Sequence, residues 1–304
     1  MPIHAFMWAK YSARSTASSQ QMEQIEQPPL PIGQDLERQT RNIVTRGPRL
    51  CGIEIGSGDA VILLHDVLKS HISWTSVALA LSEKYRVIAF DWPGFGGSDK
   101  SIDFSYDYAS FADVALDAIA AFGESRVHVV GHGFGGAVGV QLAREHPASV
   151  RSLSLINPHF MPGEHWTLRA SRNRLFGKLF LRQVTGRVTF RAMVNSTYRH
   201  ASLTQLANAD QWYAQFNSPE GREAAWATLS TMNDSRALLA SLPRIDIPSM
   251  VLWGQHDALY SLPVGRRVAR ELRSKRFELL DVGHSPAEEA PDHTARALAE
   301  FFAA

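Results

Sequence analysis

The side chains able to move protons in this 304-residue chain fall at a few places, each just after a run of apolar residues. His65 and Asp66 follow Val61-Ile62-Leu63-Leu64. Asp257 stands just beyond Met250-Val251-Leu252-Trp253-Gly254, and His284 just beyond Arg276-Phe277-Glu278-Leu279-Leu280. Imidazoles and carboxylates are the usual general acids and bases near neutral pH. A further stretch is notable for what it lacks. Val127-His128-Val129-Val130 leads into Gly131-His132-Gly133-Phe134-Gly135-Gly136, and a helical pattern follows through Gln141, Leu142, Ala143 and Arg144. That is a strand, a sharp turn and a helix. The residue at the tip of the turn is Gly133, which has no side chain to offer. The single cysteine, Cys51, sits at the start of a strand pattern and reads as packing.

For these residues to meet, the apolar runs must be neighbouring strands. Val61–Leu64, Arg86–Phe90, Val127–Val130, Val150–Ile156, Pro248–Gly254 and Arg276–Leu280 read as strands, the shorter apolar ones as buried parallel strands. Leu50–Ile55 alternates like an edge strand. Helical patterns separate them over 74–83, 108–122, 264–272 and 293–302. Strands alternating with helices predict an α/β fold with a mostly parallel sheet flanked by helices on both faces. Sites in such sheets form at the carboxyl ends of the strands, where every motif here lies. From 158 to 243 no strand pattern occurs, and helical segments carry Trp166, Phe176, Phe180, Trp212, Tyr213, Phe216 and Trp226. This reads as an inserted helical cap. The expected organisation is an N-terminal arm over 1–45, an α/β core over 46–157 and 244–304, and a cap over 158–243. Most cap aromatics should pack against one another. A few should line a pocket between cap and sheet, which points to a small apolar or aromatic substrate.

Composition excludes several classes. A net charge of +1 gives no footprint for nucleic acid or an anionic membrane. No apolar run is long enough to span a bilayer. One cysteine rules out an intrachain disulfide, and a reducing, cytoplasmic setting fits best. The first 22 residues contain no acid, which faintly resembles a transit peptide; a surface-packed or partly disordered extension is the preferred reading. His128, His132, His146, His159 and His165 show no metal-ligand spacing, so no metal is expected. The glycine cluster lacks both the Lys-Ser/Thr pair of a phosphate loop and dinucleotide-binding spacing, so no cofactor is expected either.

Taken in order, His65, the loop Asp91-Trp92-Pro93-Gly94-Phe95-Gly96-Gly97-Ser98, the strand–turn–helix around Gly133, and the pair Trp253-Gly254-Gln255-His256-Asp257 and Gly283-His284-Ser285-Pro286 resemble the α/β-hydrolase family over residues 50 to 304. The resemblance implies a hydrolase fold with a helical cap and a catalytic triad whose order is nucleophile, acid, histidine. It places Asp257 at the acid position, His284 at the histidine position and Gly133 at the nucleophile position. It implies an oxyanion hole built from the backbone N–H groups of Val67 and Phe134. It also implies a serine-type esterase or lactonase as the parent activity.

Two positions depart from the family pattern. Gly133 replaces the usual serine, so an acyl-enzyme cannot form there, although glycine accepts the positive φ of this elbow without cost. Asp66 replaces the glycine of a His-Gly pair. Aspartate tolerates left-handed backbone; its carboxylate could repel charge developing at an oxyanion site or act as a base, and the preferred expectation is that it faces solvent or makes a local hydrogen bond. Three chemistries follow. A serine hydrolase of esters, lactones or related acyl compounds could have lost its nucleophile through exchange to Gly133. An enzyme without a covalent intermediate could use the His284–Asp257 pair as general base. A non-catalytic protein could hold an apolar ligand under the cap.

Overall fold

A computed structural model describes residues 40–160, 177, 179–232 and 235–304. The segment up to residue 39, expected to be part of an N-terminal arm, and Trp166 and Phe176 of the expected cap lie outside the described residues. Eight strands form one sheet: β1 (Thr40–Ile43), β2 (Leu50–Ile55), β3 (Ala60–Leu64), β4 (Arg86–Phe90), β5 (Val127–His132), β6 (Val150–Ile156), β7 (Ser249–Gly254) and β8 (Arg276–Leu280). Their spatial order is β1-β2-β4-β3-β5-β6-β7-β8. β1 and β2 are antiparallel to their neighbours, and all pairs from β4 to β8 are parallel. The α/β sheet expected from the alternating pattern is thus present. Residues 40–43, read from the sequence as arm, instead pair with β2 and displace it from the sheet edge. The short polar segment Thr40-Arg41-Asn42 carries no apolar alternation that would reveal a strand.

Helices α1 (Thr75–Ser82), α2 (Tyr108–Ala121), α3 (Phe134–Glu145), α8 (Leu262–Glu271) and α10 (Pro291–Phe302) connect or follow the strands. The central strands are fully buried because both faces are covered; every residue of β3, β5 and β7 is inaccessible or nearly so. This explains why those strands read as continuous apolar runs rather than as alternation. Between β6 and β7 the described residues form helical segments only: a π-helical turn at Phe180–Val184, α4 (Arg187–Asn195), α5 (Leu203–Phe216), α6 (Pro219–Met232) and α7 (Arg236–Ser241). A short α9 (Pro286–Glu289) follows the loop after β8.

The chain moves from β3 outward to β4 on one side and then to β5 on the other, so the strand order reverses at β3. A crevice opens at the carboxyl ends of such a switch point. Leu64 of β3 is in register with Gly131 of β5. Two residues further along each strand, this register sets Asp66 beside Gly133. Close approach is bought with glycine. A Cβ on Gly135 would meet Leu64 O and His65 O within 3.0 Å, so α3 can start against the end of β3 only without a side chain there. Replacing Gly135 by alanine should therefore destabilise the fold by about 1–3 kcal/mol, the usual cost of overpacking a rigid contact. Denaturant titration checks this, and an unchanged midpoint would show that the end of β3 yields freely.

Candidate active site

The site is built where the loops after β3, β5, β7 and β8 converge. Gly133 caps α3 with φ 53° and ψ −116°, the positive-φ elbow expected at the strand-to-helix turn. Its N–H donates to Ile156 O at 3.0 Å, and its carbonyl accepts from His159 N at 3.0 Å. The loop after β7 carries Asp257. Its Oδ1 accepts from Leu259 N at 2.7 Å and Tyr260 N at 3.1 Å, and its Oδ2 accepts from Asn157 Nδ2 at 2.6 Å. The same Oδ2 accepts from His284 Nδ1 at 2.9 Å. The acid and histidine placed by family resemblance therefore meet in space.

Asn157 directly follows the strand read over Val150–Ile156 and drew no role from the sequence. It is fully buried in a left-handed conformation, φ 41°, and its Oδ1 also accepts from Gly254 N at 2.9 Å. It thus clamps the end of β7 and holds Asp257. A side chain whose partners both lie at the end of β7 and in the loop after it leaves no periodic signal, but an Asn at a strand terminus was a usable hint of left-handed backbone.

Asp66 keeps one half of its expectation, a local hydrogen bond with Val67 N, and departs from the other. Its carboxylate does not face solvent; the residue is 6% exposed. Oδ1 accepts from Val67 N at 2.8 Å and from Phe134 N at 2.7 Å. Oδ2 lies 3.1 Å from His284 Nε2. The left-handed backbone in this loop falls on Leu68, φ 63°, rather than on Asp66. The two N–H groups assigned to an oxyanion hole do converge on one point, and an Asp66 oxygen occupies it. The reason is steric as well as electrostatic. A Cβ built on Gly133 would meet Asp66 Oδ1, Cγ and Oδ2, all within 3.0 Å. The carboxylate fills the volume that a side chain at residue 133 would need.

The loop is braced from behind. His65 Nδ1 donates to Asp66 O at 2.7 Å, its Nε2 accepts from Trp92 N at 3.0 Å, and Trp92 Nε1 donates to His65 O at 3.0 Å. Asp91 accepts from His71 N at 2.7 Å and Gly97 N at 2.8 Å. The glycine-rich loop after β4 is therefore a support for the loop that carries Asp66. Burial lowers His65 to a pKa of about 4, which keeps it neutral for this role. Cys51 is pushed up to about 11, chiefly by burial and then by the Asp91 charge, so its thiol is inert at neutral pH, as its packing role requires.

The charge state of the centre follows from its hydrogen bonds. His284 lies between two carboxylates, with an oxygen facing each ring nitrogen. Burial by itself lowers its pKa, but Asp257 and then Asp66 outweigh it and raise the value to about 10. Burial opposes ionisation of Asp66, yet the hydrogen bond from His284, the nearby imidazoles and the Phe134 N–H hold it well below the usual carboxylate range. His132 beneath them donates from Nε2 to His284 O at 2.7 Å. Burial, reinforced by the His284 charge, lowers it to about 3, so it stays neutral. The resting centre is an imidazolium between two carboxylates. Among the described residues, Asp66, His132 and His284 also bring one ligand atom each within 4.8 Å of one another. A cation at that point would compete with the proton on His284 Nε2.

A cleft of about 730 Å³, open mouth included, reaches this centre. Asp66, Val67 and Lys69 lie on its sheet side, and Phe180, Leu181, Met193, Val194 and Leu229 come from the helical segment between β6 and β7. Neither Gly133 nor His284 lines it, so Asp66 is the group of the centre that a ligand meets first. The described aromatics of the segment between β6 and β7 take different places. Phe180 lines the cleft, while Trp212, Phe216 and Trp226 are buried; the cleft wall is mainly aliphatic.

Comparison with known proteins bears on the family. The α/β-hydrolase fold model matches residues 59–291. The chain belongs to the α/β-hydrolase fold family. Relatives of this family include a putative carbamate hydrolase, RutD, of Variovorax paradoxus, 30% identical over 256 residues, covering 81% of this chain and 92% of the relative. A fluoroacetate dehalogenase of a Burkholderia species is 28% identical over 279 residues, covering 81% and 88%. The solved structure of an enol-lactonase from Burkholderia xenovorans LB400 superposes with a TM-score of 0.73 at 19% identity, covering 87% of this chain and all of that one, which speaks to the fold alone. Among the described residues of this α/β-hydrolase, no helix is long and apolar enough to cross a membrane.

Two outcomes are expected from the geometry. His284 should remain protonated at pH 8 by nitrogen-resolved NMR, and Asp66→Asn should lower its pKa. A group whose pKa rises on folding stabilises the fold fully below its unfolded value, about 6.5, and loses that contribution as pH climbs through the folded value. Stability should thus fall between that pH and about 10. A His284 titration near its ordinary value would contradict the ion pair. Secondly, Gly133→Ser alone should not give a burst with p-nitrophenyl acetate, because Asp66 fills the needed space. The double change Gly133→Ser with Asp66→Gly should give one. A burst from the single variant would show that Asp66 moves aside without cost.

Proposed function

We propose that this α/β-hydrolase hydrolyses a small, apolar, neutral substrate at a centre in which the Asp66 carboxylate stands in for the elbow side chain, with His284 and Asp257 handling protons. The observation that carries this reading is the position of Asp66. It is held by two N–H groups and His284, fills the space beside Gly133 and faces the cleft. The relatives named as carbamate hydrolase and fluoroacetate dehalogenase, with a pimeloyl-[acyl-carrier protein] methyl ester esterase of Aeromonas hydrophila at 27% identity, support hydrolysis in the range of esters, lactones and related compounds.

A serine hydrolase inactivated by a simple exchange to Gly133 fits less well. In such a protein the elbow would be an empty notch facing free oxyanion donors. Here both donors and the notch are taken by one carboxylate. A pure ligand-binding protein fits less well again, because an apolar cleft has no use for a buried imidazolium flanked by two carboxylates, which is costly to desolvate. Asp66 rather than His284 is the ionised base of the resting state, which refines the general-base reading of the His284–Asp257 pair.

The test is a panel of small neutral esters, lactones, carbamates, epoxides and alkyl halides. Asp66→Asn, His284→Gln and Asp257→Asn should each lower turnover roughly a hundredfold or more, the usual weight of a positioned acid or base. Circular dichroism should show each variant folded. Turnover that survives Asp66→Asn and His284→Gln together would place the reaction elsewhere.

A further inference from the structure

The apolar wall of the cleft is held unevenly. Met193 and Val194 come from α4 and Leu229 from α6, regular helices with their own hydrogen-bond ladders. Phe180 and Leu181 come from the π-helical turn Phe180–Val184, a single turn of chain. With Gly177 they stand at i, i+3 and i+4, so the three share the face that lines the cleft. Leu179 and Val184, off that face, are more than half exposed. This part of the wall is therefore one turn thick, with the cleft on one side and solvent on the other. Turns of this kind are rare and recur at functional sites.

The turn is tied down by a side chain from outside it. Its wide spacing closes at Thr185, whose N–H and Oγ1 both donate to Phe180 O at 2.8 Å. Gly186 then caps α4, and the last carbonyls of a helical segment find no partner within it. Arg222 of α6 supplies donors to two carbonyls here. Its Nη1 donates to Leu181 O at 2.6 Å and its Nη2 to Thr185 O at 2.9 Å. Nη2 also donates to Asn217 Oδ1 at 2.6 Å, and the guanidinium lies over the Phe216 ring, 4.8 Å from its centre. Phe216 packs on Phe190 of α4, with ring centres 5.1 Å apart. The fork is thus fixed by α5 and the residue after it before it reaches the turn. Three acceptors on one rigid group suit arginine and not lysine, whose ammonium is a point charge. Positive charge also suits the carboxyl end of a helical segment. Arg222 does not line the cleft, whereas Leu229, two turns further along α6, does.

We propose that Arg222 is a positioning residue that determines specificity: by locking the turn that carries Phe180 and Leu181, it sets how long an apolar substrate the cleft accepts. This rests on the reading of the cleft as the place where substrate meets Asp66. A locked wall is already ordered when a short apolar molecule arrives, so binding does not have to order it. A long molecule must push the turn outward, and two charge-assisted hydrogen bonds oppose that movement. Without Arg222 the turn samples open positions. A short molecule then binds only the fraction of the protein whose wall is in place, and its apparent affinity falls by that fraction. A long molecule no longer has two bonds to break. The preference moves toward length. General loss of stability has a different signature, because it weakens binding of both molecules alike.

The experiment compares the full chain with its Arg222→Met and Arg222→Lys variants. Two neutral ethers that cannot be hydrolysed here serve as probes, anisole as the short one and octyl phenyl ether as the long one. Their affinities are read by displacement of the fluorescent amine N-phenyl-1-naphthylamine. In Arg222→Met, anisole should bind about tenfold more weakly, as when a wall is in place only a tenth of the time, while octyl phenyl ether holds or gains affinity. Amide hydrogen exchange should quicken in the peptide containing Phe180 to Thr185, with the circular dichroism spectrum unchanged. Arg222→Lys should fall between the two. Equal weakening of both ethers, no change in either, or unchanged exchange in that peptide overturns the proposal. Met193→Trp, which fills the cleft, should abolish displacement, and displacement that survives it places the ethers elsewhere and also overturns the proposal. The active-site reading fails in a different way. Ethers that follow Arg222 as expected, yet do not slow turnover of the substrate panel, would show that Arg222 governs a cleft that is not the active site.

Discussion

One buried anion organises the centre of this molecule. The Asp66 carboxylate is nearly inaccessible to water and has only protein groups to stabilise it. Stripping a carboxylate of water costs several kcal/mol even after relaxation, so partners must be supplied in full. Two come from backbone amides at the ends of β3 and β5, and the third is His284. His284 in turn is held in orientation and charge by Asp257, and Asp257 by Asn157 and two further amides. Elements on both sides of the switch point thus contribute to one ion. The β3 to β5 register and the small residues at Gly133 and Gly135 are the geometric conditions for it.

This makes the two departures from the family pattern a single structural event. Read along the chain, Gly133 looks like a loss and Asp66 like an oddity 67 residues away. In space they compensate: a side chain at 133 and a carboxylate at 66 compete for the same volume. A side chain cannot return at 133 while the Asp66 carboxylate stays in place. The two amides expected to form an oxyanion hole do converge on one oxygen. What has changed is the owner of that oxygen, which belongs to the protein rather than to a substrate.

Much of this fold was legible in the sequence, for physical reasons. Val61–Leu64, Val87–Phe90 and Met250–Trp253 are buried on both faces, so burial alone writes them as apolar runs. β1 was not legible, because a polar edge strand is specified by its pairing to Leu50–Ile53 and not by its own composition. In the site, His284 and Asp257 were found through their loop motifs, and their meeting follows from the strand order. The setting of Asp66 was missed because it depends on an absence at another strand end. Local propensity addresses φ and solvent; it carries no information about a neighbour's missing Cβ. Asn157 was missed likewise, since its two partners come from residues about a hundred positions on.

The charges in the cleft bear on what it can admit. Asp66, His284 and Asp257 together carry one net negative charge. Lys69, which also lines the cleft, could in principle balance it, but its Nζ is committed to Glu288 and also bonds Ser285 Oγ at 2.7 Å and Tyr198 Oη at 3.3 Å. Its ring neighbours, Tyr198 and Trp212, stabilise the ammonium further. That cluster ties the β3 loop to α5, the loop after α4 and the segment containing α9, so it acts as a clamp across the cleft floor and leaves its own charge neutralised in place. An anionic substrate approaching Asp66 would meet a like charge in a low-dielectric site with no lysine to offset it among the described lining residues. A cationic one would face an apolar wall of Leu181, Met193, Val194 and Leu229. A neutral, apolar molecule avoids both costs. Once such a molecule covers Asp66 and excludes water, its polar groups feel the charge of that carboxylate with little screening.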